Sequence, residues 1–312
     1  MNHFLTRFLL PLALLSLFLF ACEQEFLPVV EVQPAQIVVE GYIEGGDRPS
    51  TPYVFLTRSV AFFTAEEQND LSDFYVHNAR ITVSDGSREV VLTEICSQSL
   101  DSTQLALAAA FLGFDPANLE FNLCVYIDPS FSLYGEIGKT YFLDVTAEGN
   151  HLTAQTSLPE LVVLDSVYFI DPPGTIGDSL AQLQVILPDP PGIANFYRYF
   201  TSTNGGTLRR SDFSVVDDRL FDGQTFILPL NEAEADSVSF DLSTYGLFRR
   251  GDAMTLKFVG IDEAHYQFWN TLEFSASNQG PFSNITRVRG NIEGGLGIWG
   301  GLSATYYERA VE

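Results

Sequence analysis

The stretch RITVSDGSREVVLT (residues 80–93) decides the fold class, because it holds two short β-type segments and the turn between them. Arg80–Ser84 and Arg88–Thr93 flank Asp85-Gly86. Glycine tolerates the positive φ that a two-residue type I′ turn requires. The stretch therefore predicts an antiparallel β-hairpin.

Similar segments lie on both sides of this hairpin, each bounded by turn residues. They are QIVVEGYI (36–43), YVFLTRS (53–59), KTYFLDVTAE (139–148) and the return strand 151–156 after Gly149-Asn150. Short strands, regular turns and few helices are typical of a β-sandwich. We expect residues 36–158 to form an N-terminal, immunoglobulin-like β-sandwich domain.

One segment of this first domain differs from the rest, because Leu105–Phe111 is rich in alanine and predicts a short helix. It lies in an insertion between Cys96 and Cys124. In an oxidising compartment an even pair of cysteines favours a disulfide. Two buried free thiols are the alternative.

The second half predicts another β domain over residues 159–312, with strands such as Asn195–Thr203 and Ala253–Ile261. Asp262 is a good N-cap for a helix near 263–275, which we expect to pack on the sheet. The fold class is therefore mainly β. It consists of two β-sandwich-like domains in tandem, with one helix on the second and a short helical insertion in the first.

In the strand Asn195–Thr203, strict alternation places Phe196, Arg198 and Phe200 on one face. Tyr197, Tyr199 and Thr201 then lie on the other, so both faces of this strand are expected to be covered.

Acidic loops are the remaining candidates for ligand chemistry in this half. Two Asp-Pro-Pro-Gly sequences, at 171–174 and 189–192, fit tight turns better than calcium loops. Asp217, Asp218 and Asp222 are calcium candidates, although their loop lacks the ligand spacing of an EF-hand. We predict no metal site elsewhere.

The N-terminal residues predict where the protein is located. Arg7 precedes the apolar run Phe8 to Phe20, which is too short to span a bilayer but suits a signal peptide over residues 1–21. A buried core helix is the alternative. Leu19-x-Ala21-Cys22 resembles a bacterial lipobox, which implies a covalent lipid on Cys22 and an acylated tether over residues 22–35.

Charge and missing motifs argue against several classes of function. The chain has 16 Lys and Arg against 40 Asp and Glu, a net charge of −24, which argues against binding nucleic acid. Motifs for zinc, nucleotide or serine-hydrolase chemistry are missing from the sequence. We therefore predict neither an enzyme nor a cofactor, although a carboxylate pair of the glycosidase kind stays open.

These segments in this order resemble the Bacteroidota lipoprotein family called domain of unknown function 4249. The resemblance runs from about Glu31 to Arg309. It is carried by the lipobox and by IVVEGYI (37–43), LTRS (56–59), NARITVSDG (78–86), YFLDVTAEG (141–149), LDSV (164–167), DPPGIANFYR (189–198), the helix start at Asp262 and GGLGIWGG (294–301).

The resemblance implies a surface-exposed outer-membrane lipoprotein that acts as a non-catalytic partner of a TonB-dependent barrel, in substrate capture. A structural or adhesion lipoprotein of the envelope is the alternative. The glycine-rich segment is a candidate contact surface for the barrel or, alternatively, a bulged last strand. Its residues are Gly294, Gly295, Gly297, Trp299, Gly300 and Gly301.

Overall fold

The described part of the chain contains fifteen strands and two α-helices, as seen in a computed structural model. The structure describes residues 34–60, 71–174, 178–233, 243–277 and 287–312. The predicted signal peptide and Cys22 lie outside the described residues. Residues Ala35–Glu312 form one compact unit.

Seven strands precede residue 158. They are β1 (Ile37–Gly46), β2 (Ser50–Arg58), β3 (Arg80–Ser84), β4 (Glu89–Cys96), β5 (Cys124–Ile127), β6 (Thr140–Ala147) and β7 (Asn150–Ser157). Eight strands follow. They are β8 (Ser166–Ile170), β9 (Leu180–Pro188), β10 (Phe196–Thr203), β11 (Val215–Asp217), β12 (Thr225–Leu230), β13 (Phe248–Arg249), β14 (Ala253–Ile261) and β15 (Leu296–Ala310). The helices are α1 (Ser102–Leu112) and α2 (Glu263–Ser277).

The mainly β fold class and both predicted helices are confirmed. β3 and β4 pair as the predicted hairpin. Asp85 bonds Arg88, so the turn residues are Gly86 and Ser87, and because only Gly86 has a positive φ the turn is not of the predicted type I′.

Helix α1 begins with a capping box, in which Asp101 accepts hydrogen bonds from the main chain of Thr103 and Gln104. Helix α2 follows Asp262, whose carboxylate accepts the main-chain N–H of His265 at 2.9 Å. Side-chain acceptors at these positions satisfy N–H groups that the helix leaves unpaired.

An eleven-stranded sheet joins the two parts of the chain. Its order is β11-β10-β14-β15-β1-β2-β5-β4-β3-β6-β7, and the long strand β15 lies between β14 and β1. β15 runs parallel to β1 and antiparallel to β14. Both predicted domains therefore contribute to the same sheet, and the division at residues 158 and 159 stays a prediction.

A smaller sheet of β12, β9, β13 and β8 packs on the second part of the chain. Its apolar side chains, such as Leu183 and Val185, form a core with Tyr197 and Tyr199 of β10. Phe196 and Phe200 instead pack on the opposite face, among the residues beneath α2. The alternation predicted for β10 is confirmed, and it directs Arg198 to the α2 side of the sheet.

Most of the glycine-rich segment lies in β15, an interior strand of the large sheet, and Gly294 and Gly295 precede this strand. Trp299 is 0% exposed and donates its indole N–H to the main-chain oxygen of Tyr141. Gly297 has φ +108°, and a Cβ there would overlap the main-chain oxygen of Val39. Gly300 leaves room for the ring of His265. Close approach of neighbouring groups is why glycine is needed here.

This placement corrects the prediction of a partner-contact surface. Gly297, Trp299, Gly300 and Gly301 are buried and cannot contact a barrel in this fold. Gly294 is exposed and Gly295 is half-buried. The alternative, a last strand in which glycine permits tight packing, agrees with the structure.

Among the described residues, the two helices are too short or too polar to cross a lipid bilayer.

Candidate functional site

A cleft of about 1050 Å³, which we call the central cleft, lies between α1 and the large sheet. Residues of α1, including Ala106, Ala110 and Phe111, line one part of it. Side chains from β1, β2, β10, β14 and β15 line another part, and Trp269 of α2 and residues of the adjoining loops complete it. The size falls in the range of clefts that hold small-molecule ligands.

Strand register places the polar side chains of this cleft next to one another. Phe200 of β10 pairs with Lys257 of β14, and Lys257 pairs in turn with Tyr306 of β15. Residues that are directly opposite on neighbouring strands share a face of the sheet. Glu40 and Glu44 follow the two-residue period of β1 and line the same cleft.

A buried ion pair lies in this row. The Lys257 ammonium contacts the Glu44 carboxylate, and the two side chains are only 13% and 9% exposed. Tyr306 donates its hydroxyl hydrogen to the other oxygen of Glu44 at 2.6 Å. Burial raises the pKa of Tyr306, and the negative charge of Glu44 adds to this effect. Glu44 is therefore held as a carboxylate acceptor with both oxygens engaged.

A second charged group, Arg198, lies against the helix α2. Its guanidinium stacks over the ring of Trp269 at 3.7 Å and lies 4.8 Å from the ring of Phe200. Its Nε donates a hydrogen bond to Ser214 Oγ at 3.1 Å. Arg198 is 2% exposed, and this burial lowers its pKa.

Helix α2 supplies the groups behind Arg198 through one stripe of residues. His265, Trp269 and Glu273 are four residues apart, so they face the sheet together. The Glu273 carboxylate accepts hydrogen bonds from the hydroxyl and the main-chain N–H of Ser214, at 2.6 and 3.0 Å. Burial raises the pKa of Glu273, and the hydrogen bonds from Ser214 oppose this rise.

His265 lies in the first turn of α2, on its buried face. The ring is 0% exposed and lies 5.7 Å from the ring of Tyr42. Burial lowers the pKa of His265 to about 3, and the charge of Arg198 adds to this effect. His265 is therefore a neutral core residue, since a charged imidazole is too costly to desolvate here.

Aromatic rings cover much of the remaining cleft wall. The ring of Tyr53 lies 5.8 Å from that of Tyr42 and 5.5 Å from that of Phe111 on α1. Such tilted and edge-on pairs are favourable aromatic geometries. Burial raises the pKa of Tyr53, and the nearby carboxylates of Glu40 and Glu44 raise it further. The cleft thus presents rings and neutral hydroxyl groups.

The charge of the cleft differs from that of the whole chain, which is −24. Four of the 16 basic residues line it, against two carboxylates. The cations are Arg48, Arg198, Arg210 and Lys257, and the carboxylates are Glu40 and Glu44. A cation-rich concave surface on an acidic protein attracts anionic groups locally.

The predicted calcium candidates are separated in the structure. Asp218 and Asp222 gather with Asp189, the first residue of an Asp-Pro-Pro-Gly turn, with carboxylate oxygens within 4.8 Å of one another. Asp217 instead binds Arg219 and accepts a hydrogen bond from Tyr266 at 2.5 Å.

The three gathered carboxylates could ligate a hard cation, but their positions follow from hydrogen bonds to the loops. Asp189 accepts from Tyr197 Oη and from the main chain of Gly223. Asp222 accepts from the main chain of Gly192, and Asp218 accepts from Asn195.

Cys96 and Cys124 form a disulfide in the structure. They lie directly opposite each other on β4 and β5, at the base of the insertion that carries α1. The bond therefore closes the segment that supplies one wall of the central cleft.

Sequence patterns alone did not identify the cleft. Glu44, Lys257 and Tyr306 come from three separate strands. For Arg198 the sequence predicts only a position on one face of a strand. One usable signal is that Lys257, one of two lysines in the chain, interrupts an otherwise apolar strand.

No curated protein and no solved structure matches this chain significantly. One family model does match, over residues 23–308, and its description is domain of unknown function, DUF4249. The match covers almost the entire chain and includes every residue of the central cleft. The chain therefore belongs to the DUF4249 family.

Proposed function

We propose that this chain is a surface-exposed outer-membrane lipoprotein that captures a small ligand in the central cleft for a TonB-dependent barrel. The proposal takes its location from the lipobox-like sequence at Cys22 and from the family resemblance. It takes its activity from the cleft. A lipid on Cys22 would hold the binding domain near a membrane partner.

The observation that carries the proposal is the composition of the cleft wall. Aromatic rings, a fixed ion pair and a buried guanidinium converge on one concave surface. Ligand sites are typically apolar clefts with a few fixed polar groups. Glu44 is bound by Lys257 and Tyr306, so it serves ligand orientation better than proton transfer.

A pull-down of the intact, detergent-solubilised lipoprotein tests the partnership. We expect a TonB-dependent barrel to be recovered with it, and a soluble chain after Cys22→Ala. Recovery of only matrix or adhesin components would instead favour a structural or adhesion lipoprotein. A Cys22→Ala chain that stays on membranes after a carbonate wash would contradict the lipid anchor.

Two variants on the same helix test the role of the cleft. Ala110 is exposed and lines the cleft, so Ala110→Trp fills it without disturbing a buried position. Leu107 is 67% exposed and lies outside the lining, so Leu107→Trp is the matched control. We expect ligand retention to be lost in the first variant and kept in the second.

A further inference from the structure

We propose that the central cleft captures short peptides with a free C-terminal carboxylate, and that Arg198 recognises this carboxylate. The inference rests on the proposed function, because it names the class of ligand that the cleft takes.

The hydrogen bonding of Arg198 is incomplete. Within the described part of the chain, Nε is the one guanidinium nitrogen that donates a hydrogen bond, to Ser214. Its terminal nitrogens, Nη1 and Nη2, have no acceptor among the described residues, and no carboxylate lies within ion-pair distance of them. Neither nitrogen belongs to the buried, unpaired side-chain atoms of the described residues, so both are open to the cleft. The guanidinium therefore presents free donors to an acceptor that enters the cleft.

The orientation of the guanidinium is fixed before any ligand arrives. Trp269 stacks on it, Phe200 lies beside it and Ser214 holds its Nε. Trp269 itself is 8% exposed and belongs to the buried stripe of α2. A planar guanidinium that is held in this way matches the two oxygens of a carboxylate. Because the site is preorganised, little conformational entropy is lost when the anion binds.

The charges around Arg198 favour a ligand with one carboxylate and a compensating amine. The Lys257 charge is already neutralised by Glu44. Glu273 lies behind Arg198 and interacts favourably with its charge. Arg48 and Arg210 lie 3.0 and 3.9 Å from the carboxylates of Glu308 and Glu273. The local positive surplus is therefore too small for a multiply charged phosphate. A zwitterion is also repelled less than an anion by a chain of net charge −24.

The other lining groups suit the rest of a peptide. Glu40 is exposed at the cleft and offers a carboxylate to an ammonium group. Tyr53, Phe111 and Tyr306 present aromatic surface for apolar side chains. A volume of about 1050 Å³ admits a peptide of a few residues. A carboxylate end, an amine end and apolar side chains together distinguish such a peptide from a neutral sugar.

Isothermal titration calorimetry with two probes tests the inference. The probes are the tripeptide Ala-Ala-Phe with a free C-terminus and the same tripeptide as its C-terminal amide, each titrated into the full-length chain. We expect the amide to bind about tenfold to a hundredfold more weakly, which is the range for loss of hydrogen bonds to a charged group. This comparison uses the unmodified protein and does not depend on the folding of a variant.

Arg198→Lys tests whether Arg198 is the residue that distinguishes the peptide acid from its amide. Lysine keeps the charge but cannot bind a carboxylate through two parallel N–H groups, so the preference for the acid should fall several-fold. Arg219→Lys is the control, because the Arg219 side chain is 78% exposed and outside the cleft lining. It should keep the full preference.

Three results would overturn the inference: equal binding of acid and amide, binding of neither peptide, or an unchanged preference in Arg198→Lys. In each case, recovery of the barrel in the pull-down leaves the proposed function standing. Loss of the barrel, together with ligand retention that Ala110→Trp does not alter, would instead remove the proposed function itself.

Discussion

Simultaneous replacement of Cys96 and Cys124 by alanine opens the loop that carries α1. The two residues are 28 positions apart. In the chain-entropy account, closing a loop of this length lowers the entropy of the unfolded chain enough to stabilise the fold by about 3 to 4 kcal/mol. We therefore expect the double variant to lose about that much free energy of unfolding.

The structure indicates that removing the disulfide destabilises α1 more than the rest of the fold. Ala109 is the one buried residue of that helix. The ring of Phe111 packs edge-on against the ring of Tyr53 on β2. A helix that buries so little depends on the ends of its loop for its position. Besides the global effect, we expect faster proteolysis between residues 97 and 123.

Urea unfolding followed by tryptophan fluorescence measures the global effect, because Trp269 and Trp299 both lie in buried surroundings. The urea concentration at the midpoint should fall. The slope of the unfolding free energy against urea concentration should change only as far as opening the loop alters the unfolded chain. A loss below about 1 kcal/mol would refute the chain-entropy reasoning. Labelling of both thiols in the unreduced protein would refute the disulfide itself.

Three further variants test the packing around the cleft by the same urea measurement. Gly297→Ala should cost several times more than Gly149→Ala, because both positions have positive φ but a Cβ has open space only at Gly149; equal losses would contradict the close approach. For His265, with its pKa at about 3, the unfolded chain gains a proton between pH 6.5 and 3 that the folded chain does not. Stability therefore falls as the pH is lowered, by up to about 1.4 kcal/mol per pH unit. His265→Gln should reduce this slope between pH 6.5 and 5; an unchanged slope would contradict the buried neutral imidazole. Lys257→Met leaves its carboxylate partner buried without a counter-charge and should cost about 3–5 kcal/mol; a loss near zero would show that the pair is solvated.

Local patterns predicted the elements well because their causes are local. The hairpin around Gly86, the cap at Asp262 and the alternation of β10 each depend on residues within a few positions. That alternation also placed Arg198 on the face that became the cleft. Period and capping determine secondary structure and side-chain direction, so these parts could be predicted from sequence.

The cleft could not be predicted in the same way, because its contacts join distant segments. Lys257 and Glu44 are 213 residues apart, and Tyr306 and Glu44 are 262 apart. The parallel pairing of β15 with β1 brings them together, and no local pattern specifies which strands become neighbours. The same pairing buried the glycine-rich segment, which composition alone could equally place on a surface.

The central claim is that the cleft captures a small ligand at the outer membrane. The most direct test identifies the small molecules that are bound to the purified protein. Untargeted mass spectrometry can identify small molecules that co-elute with the intact lipoprotein from its own membrane. We predict a low-mass compound with the natural chain and with Leu107→Trp, and its loss from Ala110→Trp. The same set of compounds in all three preparations, including none, would contradict the claim.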